Sequence, residues 1–179
     1  MRFAETAIAG VHIIDVDKHE DPRGSFARVY CADEFRAQGL ELPDRQAAIS
    51  HSRAKATLRG LHFIDELEGE AKLVRCIRGR IFDVAVDLRP GSPTFARHIT
   101  AELSAEEGNA LHLPRGVAHG FLTLKDDCDI FYQFSQPHRA GLEKGVRWDD
   151  PQIGIAWPLA PAVLSERDRA LPLLSELAG

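Results

Sequence analysis

Apolar, β-branched-rich runs of four to eight residues recur along the chain at 11–16, 25–30, 47–52, 58–63, 73–77, 81–88, 97–103, 110–113, 120–124 and 130–134. Many short strands with few helices predict a sandwich or a closed barrel. Turn chemistry separates the runs at Asp21-Pro22-Arg23-Gly24, Arg78-Gly79-Arg80, Arg89-Pro90-Gly91-Ser92-Pro93 and Pro114-Arg115-Gly116. The clearest internal helix covers 32–38 and is closed by Gly39, while 165–169 reads as a helix start with Ser165 as cap and Asp168 three residues on.

The run 81–88 is the most informative. Period two places Phe82, Val84, Val86 and Leu88 on one face, and Ile81, Asp83, Ala85 and Asp87 on the other. The first face is apolar enough to supply a core or a subunit interface. Asp83 points away from it, either solvated or aimed into a pocket, and periodicity alone favours the solvated side.

Composition narrows the class. With 179 residues, 44% of them apolar and 27% charged, the chain suits one globular domain spanning 1–179. No run approaches the ~18 apolar residues of a membrane span, and the start lacks the apolar core of a signal peptide, so a cytoplasmic protein without a membrane partner is expected. The 22 basic residues against 27 acidic ones give a net charge of −5, and the absence of any basic run argues against nucleic acid as a partner. Cys31, Cys76 and Cys128 are odd in number and widely spaced, which predicts three buried thiols rather than a disulfide framework or a zinc site.

Ionisable groups fall on expected strands in three segments: Arg59-Gly60-Leu61-His62, Lys72-Leu73-Val74-Arg75, and Pro114 to Phe121 with His119. Taken singly, a strand histidine is more often structural than catalytic, and a lysine such as Lys72 is more often a surface charge. The spacing Gly108-x5-Pro114-x-Gly116-x2-His119 resembles the second cupin motif, which turns His119 toward the inside of a small β-barrel. Metal-dependent cupins add an H-x-H pair and a glutamate. Here the first-motif position reads His62-Phe63-Ile64, without the second histidine. Glu68 offers a replacement ligand, but the charge of Lys72 opposes a cation, so no metal and no cofactor are expected.

From about Asp21 to Asp168 the chain resembles the dTDP-4-dehydrorhamnose 3,5-epimerase family, a metal-free branch of the cupins. The resemblance is carried by Asp21-Pro22-Arg23-Gly24-x-Phe26, Arg59-Gly60-Leu61-His62-Phe63, Lys72-Leu73-Val74-Arg75, Gly79 through Arg89, Ser92-Pro93-Thr94-Phe95, Ala118-His119-Gly120-Phe121-Leu122, Arg147-Trp148-Asp149-Asp150-Pro151 and Leu164-Ser165-Glu166-Arg167-Asp168. It implies an all-β, double-stranded β-helix or jelly-roll (cupin) fold with a few short helices, a nucleotide-sugar substrate and a homodimer.

The resemblance also implies roles. His62 is the base, oriented by Asp168. Tyr132 is the acid on the opposite face, and Lys72 stabilises the charge that develops on the C4 oxygen. His119 and Asp83 form a second hydrogen-bonded pair, Arg23 and Arg59 bind the diphosphate, and Phe26 and Gln46 complete the binding set. Without the resemblance, Tyr132 reads as a core aromatic and Asp168 as a helix-start carboxylate. Arg28, Ala48 and Ile64 depart from the family pattern, which predicts an altered preference for the nucleoside. Two other readings stay open at this point: a metal-dependent cupin isomerase or dioxygenase, and a non-catalytic nucleotide-sugar binding protein.

Overall fold

A computed structural model of the chain describes residues 1–177. It consists of two antiparallel sheets facing each other, numbered by strand in chain order. The six-stranded sheet has the spatial order β1 (Arg2–Glu5), β2 (His12–Asp15), β10 (Ala110–Leu113), β7 (Lys72–Arg78), β12 (Cys128–Phe134), β5 (Gln46–Ser52). The five-stranded sheet has the order β13 (Lys144–Gly145), β6 (Leu58–Phe63), β11 (Val117–Thr123), β8 (Arg80–Asp87), β9 (His98–Ser104). Strands adjacent in space but distant in sequence are the signature of the jelly-roll, double-stranded β-helix expected from the sequence. A separate hairpin of β3 (Lys18–Asp21) and β4 (Gly24–Ala27) pairs with neither sheet, and the helices α1 (Ala32–Ala37), α2 (Glu166–Arg169) and α3 (Leu174–Leu177) are short.

Period-two alternation builds three apolar layers. Between the sheets, Val74, Cys76, Leu111 and Ile130 meet Ile81, Ala85, Leu103 and Phe121. Outside the six-stranded sheet, Phe35 of α1 is fully buried against Ile14, Leu73 and Ala110. Burying one such phenylalanine contributes roughly 1.5–3 kcal/mol, enough to dock a helix of only six residues. Outside the five-stranded sheet, Val84 and Val86 pack beneath Val146, Ile153 and Leu174 of the C-terminal segment. The apolar face of β8 is therefore covered by its own chain, which leaves it as core and removes it as a subunit interface.

That arrangement corrects the expectation for Asp83. The face of β8 opposite the valines looks into the space between the sheets, and Asp83 is 0% exposed there. Asp87 on the same face is equally buried, held by Arg89, Ser92 and Thr94. Periodicity separated the two faces of this strand correctly, but both faces are covered. Cys76 and Cys128 are buried as expected, whereas Cys31 is only half-buried because it caps α1 at the surface. Three strands, β1, β3 and β13, lie outside the runs that predicted the others. Their side chains are mostly exposed, so backbone ladder bonds hold them without an apolar stripe.

Candidate active site

Strands β6 and β11 approach so closely that only glycine fits between them. A Cβ on Gly60, whose φ is +120°, would come within 2.6 Å of Gly120 Cα, and one on Gly120 would meet Leu61 Cδ2 at 2.7 Å. The ladder shifts register between His119 and Phe121, and His119 stands directly across from His62. Both imidazoles thereby reach a cavity of about 590 Å³ between the sheets.

The cavity gathers side chains from both walls. His62 and His119 come from the five-stranded sheet, and Lys72 and Tyr132 from the six-stranded sheet, with Arg59 and Asp168 also lining the space. Strand β12 pairs with β7 so that Phe134 lies across from Lys72. The Lys72 ammonium sits 6.0 Å from the centre of the Phe134 ring, and that ring stacks at 8° on Tyr132.

His62 is tied to the chain's other end. Its Nε2 donates to Asp168 Oδ1 at 2.8 Å, and the Gly60 amide donates to Asp168 Oδ2 at 3.2 Å. The backbone N–H of Asp168 donates to Ser165 Oγ at 3.0 Å, so the cap expected at Ser165 also aims the carboxylate. Burial pushes the Asp168 carboxyl upward, but its hydrogen bond and charge interaction with His62 outweigh this and hold it below the usual carboxylate value. With Nε2–H engaged, the lone pair of His62 is on Nδ1.

A second pair lies behind the first. His119 Nε2 is 2.7 Å from Asp83 Oδ1, and the His119 ring meets Tyr132 edge-on at 5.9 Å between centroids. Burial, then the nearby Asp83, raises the Tyr132 phenol above its ordinary value, so it stays protonated at neutral pH and can donate a proton.

The remaining expected residues are dispersed. Arg59 faces the cavity with its Nε and Nη2 donating to Ser52 Oγ and the His51 carbonyl. Gln46 does not line the cavity, but its Oε1 accepts from the backbone N–H of His138, which does. Arg23 is 89% exposed and paired with Asp21, Phe26 is 74% exposed, and both lie on the β3–β4 hairpin outside their own chain's cavity. Of the departures from the family pattern, Ala48 lines the cavity, while Arg28 pairs with Glu34 at 2.9 Å outside it.

Glu70, His138 and Glu143 were not singled out from the sequence, yet all three line the cavity. Glu70 lies 3.7 Å from Lys72, each side chain being 12% exposed, and burial raises its carboxyl despite the lysine's charge. Period two in Glu70-Ala71-Lys72 was the available signal. Glu68, the alternative metal ligand, is exposed and outside the cavity, and among the described residues no group of three His, Cys, Asp or Glu side chains is arranged to hold a metal ion.

Residues 5–176 match the family described as dTDP-4-dehydrorhamnose 3,5-epimerase. A protein of that name from Sinorhizobium fredii is 46% identical over 99% of this chain and 91% of its own. A dTDP-4-dehydrorhamnose 3-epimerase from Streptomyces niveus is 39% identical over 98% of this chain and 85% of its own. A solved epimerase from Mycobacterium tuberculosis superposes with a TM-score of 0.93 at 36% identity, over 99% of this chain and 90% of that one.

Proposed function

The chain belongs to the dTDP-4-dehydrorhamnose 3,5-epimerase family, and from that premise we propose how its residues invert carbon centres in a nucleotide-linked sugar. It is an isomerase that epimerises a nucleotide-linked 4-keto-6-deoxyhexose at C3, at C5 or at both. A hydrogen on carbon beside a ketone is removable once the enolate oxygen is stabilised. His62 Nδ1 takes that proton, Asp168 holding the ring and balancing the imidazolium. Lys72 faces the C4 oxygen, a contribution of about 3 kcal/mol. Tyr132 returns a proton to the other face, its ring set by His119 and Asp83.

One observation carries this reading: the base and the acid stand on opposed sheets and face one cavity, with a lysine on the same sheet as the acid. A protein that only bound the sugar nucleotide has no need of that arrangement.

Arg59 takes the diphosphate, its guanidinium matching phosphate oxygens. Arg23 and Phe26 serve binding through a homodimer, since a second copy presenting its exposed hairpin would add them to Arg59. Light scattering giving a stable species of the single-chain mass, 19.8 kDa, at micromolar concentration rejects the dimer. A cytoplasmic location belongs to the same proposal.

The test of the acid and base uses dTDP-4-keto-6-deoxyglucose in D2O. The unaltered protein incorporates deuterium at C3, C5 or both. His62→Ala abolishes exchange at every position, whereas Tyr132→Phe keeps some exchange while inversion falls by about 10²–10⁴-fold. Exchange at the original rate in His62→Ala overturns the assignment.

A further inference from the structure

Both nitrogens of the His62 ring face a carboxylate. Nε2 is held by Asp168, while Nδ1, the nitrogen left to act as base, lies 3.9 Å from Glu143 Oε1. The position of Glu143 follows from the ladder, because the next two residues form β13 and place Gly145 across from His62. Its other oxygen, Oε2, accepts from Arg167, which adjoins Asp168 on α2. One short helix therefore steadies the groups at both ends of the imidazole. Glu143 differs from Asp168 in one respect: its side chain is 38% exposed against 6%, so it touches the cavity and solvent together.

Inversion by a base on one face and an acid on the other leaves the enzyme in the wrong protonation state. The C–H electron pair becomes part of the enolate, the carbonyl electrons move to the C4 oxygen, and the proton rests on His62 Nδ1. Tyr132 then gives its own proton to the opposite face and becomes a phenolate. Before another centre or another substrate can react, His62 must lose one proton to water and Tyr132 must gain one. Asp168 cannot serve His62 here, since it is bonded to the nitrogen that never received the proton and its side chain is only 6% exposed.

We infer that Glu143 is the proton exit of this site, taking the abstracted proton from His62 Nδ1 and passing it to solvent while the sugar is bound. The 3.9 Å gap is one that a rotation of the half-exposed side chain or a single bridging water closes. Glu143 acts through His62 and is a positioning and relay residue. The inference rests on the acid and base roles proposed above.

Glu143→Gln keeps the acceptor for Arg167 but cannot take a proton. In this variant, steady-state turnover falls roughly tenfold more than the single-turnover rate of the first proton loss, a smaller effect than the ~10²–10⁴-fold cost of losing an acid or base itself. In Glu143→Ala, added formate restores steady-state turnover in proportion to its concentration. Equal loss in both phases without formate dependence, at an unchanged thermal midpoint, assigns Glu143 a structural role and overturns the inference. So does steady-state turnover within twofold of the unaltered protein. If the unaltered protein neither exchanges nor inverts any 4-keto nucleotide sugar, the parent reading fails, an outcome distinct from either of these.

Discussion

Asp83 Oδ1 meets His119 Nε2 at 2.7 Å in a site where Asp83 is 0% exposed and its second oxygen, Oδ2, has no partner among the described residues. Burial pushes the Asp83 carboxyl upward, and the charge of His119 opposes this. The pair supports the ring against which Tyr132 stands edge-on.

Removing one member of such a pair costs more than the pair itself contributes, because the survivor is left buried and unmatched. Asp83→Ala is expected to lower stability by about 3–5 kcal/mol. Asp83→Asn keeps an acceptor for His119 and costs less than half as much. Urea unfolding of the three proteins at pH 7 measures both values. Equal losses in the two variants would show that the carboxylate's charge, not the volume and acceptor that asparagine retains, sustains the pair.

Asp168 makes stability depend on acid through its hydrogen bond and charge interaction with His62, aided by its bonds with Gly60 and Ser165. Its folded-state value is lowered from 3.8, so the unfolded chain binds the proton more readily than the folded one. The stabilisation is therefore complete above about pH 4 and is lost as pH falls through the depressed folded value. The stability difference between the unaltered protein and Asp168→Asn should shrink as pH falls below 4. A difference that grows on acidification contradicts the assignment. Activity should fall by about 10²–10⁴-fold in the same variant, because the amide no longer fixes the tautomer of His62.

How far the sequence reached depended on burial. Strands β6, β7, β8, β10, β11 and β12 were readable because each buries apolar side chains, whereas β3 is exposed along its whole length and left no pattern. Asp83 was misjudged for a related reason: alternation tells which residues share a face but not what covers it. His119 was found through motif spacing, and His62, Lys72 and Tyr132 through the family resemblance, without which Tyr132 reads as a core aromatic. Glu143 looked like any loop carboxylate until the pairing of β13 with β6 brought it to His62, and Arg23 and Phe26, although named, point away from the cavity of their own chain.

Both tyrosines of the chain are shifted in the same direction, which gives a spectroscopic test. Burial raises Tyr30 and Tyr132 above 10.0. Tyrosinate absorbance of the folded protein at pH 10 should be less than half its final value. The midpoint should drop to about 10 in denaturant. A folded-state midpoint at or below 10 would remove the argument that Tyr132 stays protonated and ready to donate.

Nucleoside preference turns on the wall formed by β5. Ala48 and Ile49 line the cavity from this edge strand, and Ala48, one of the departures from the family pattern, offers only a methyl group. A side chain that hydrogen-bonds a base discriminates against bases lacking the matching group, and a methyl cannot. Arg28, the other large departure, is engaged by Glu34 and does not compensate. Calorimetry should therefore find dTDP, UDP, CDP and GDP binding within about tenfold of one another, equivalent to ~1.4 kcal/mol. Ala48→Asn should widen the gap in favour of dTDP, since it places donors and an acceptor on the same wall, directly across the ladder from Tyr132. If the unaltered protein already binds dTDP a hundredfold more tightly than UDP, the discriminating contact lies elsewhere, and the hairpin of a second copy, with Phe26 at its surface, becomes the place to look.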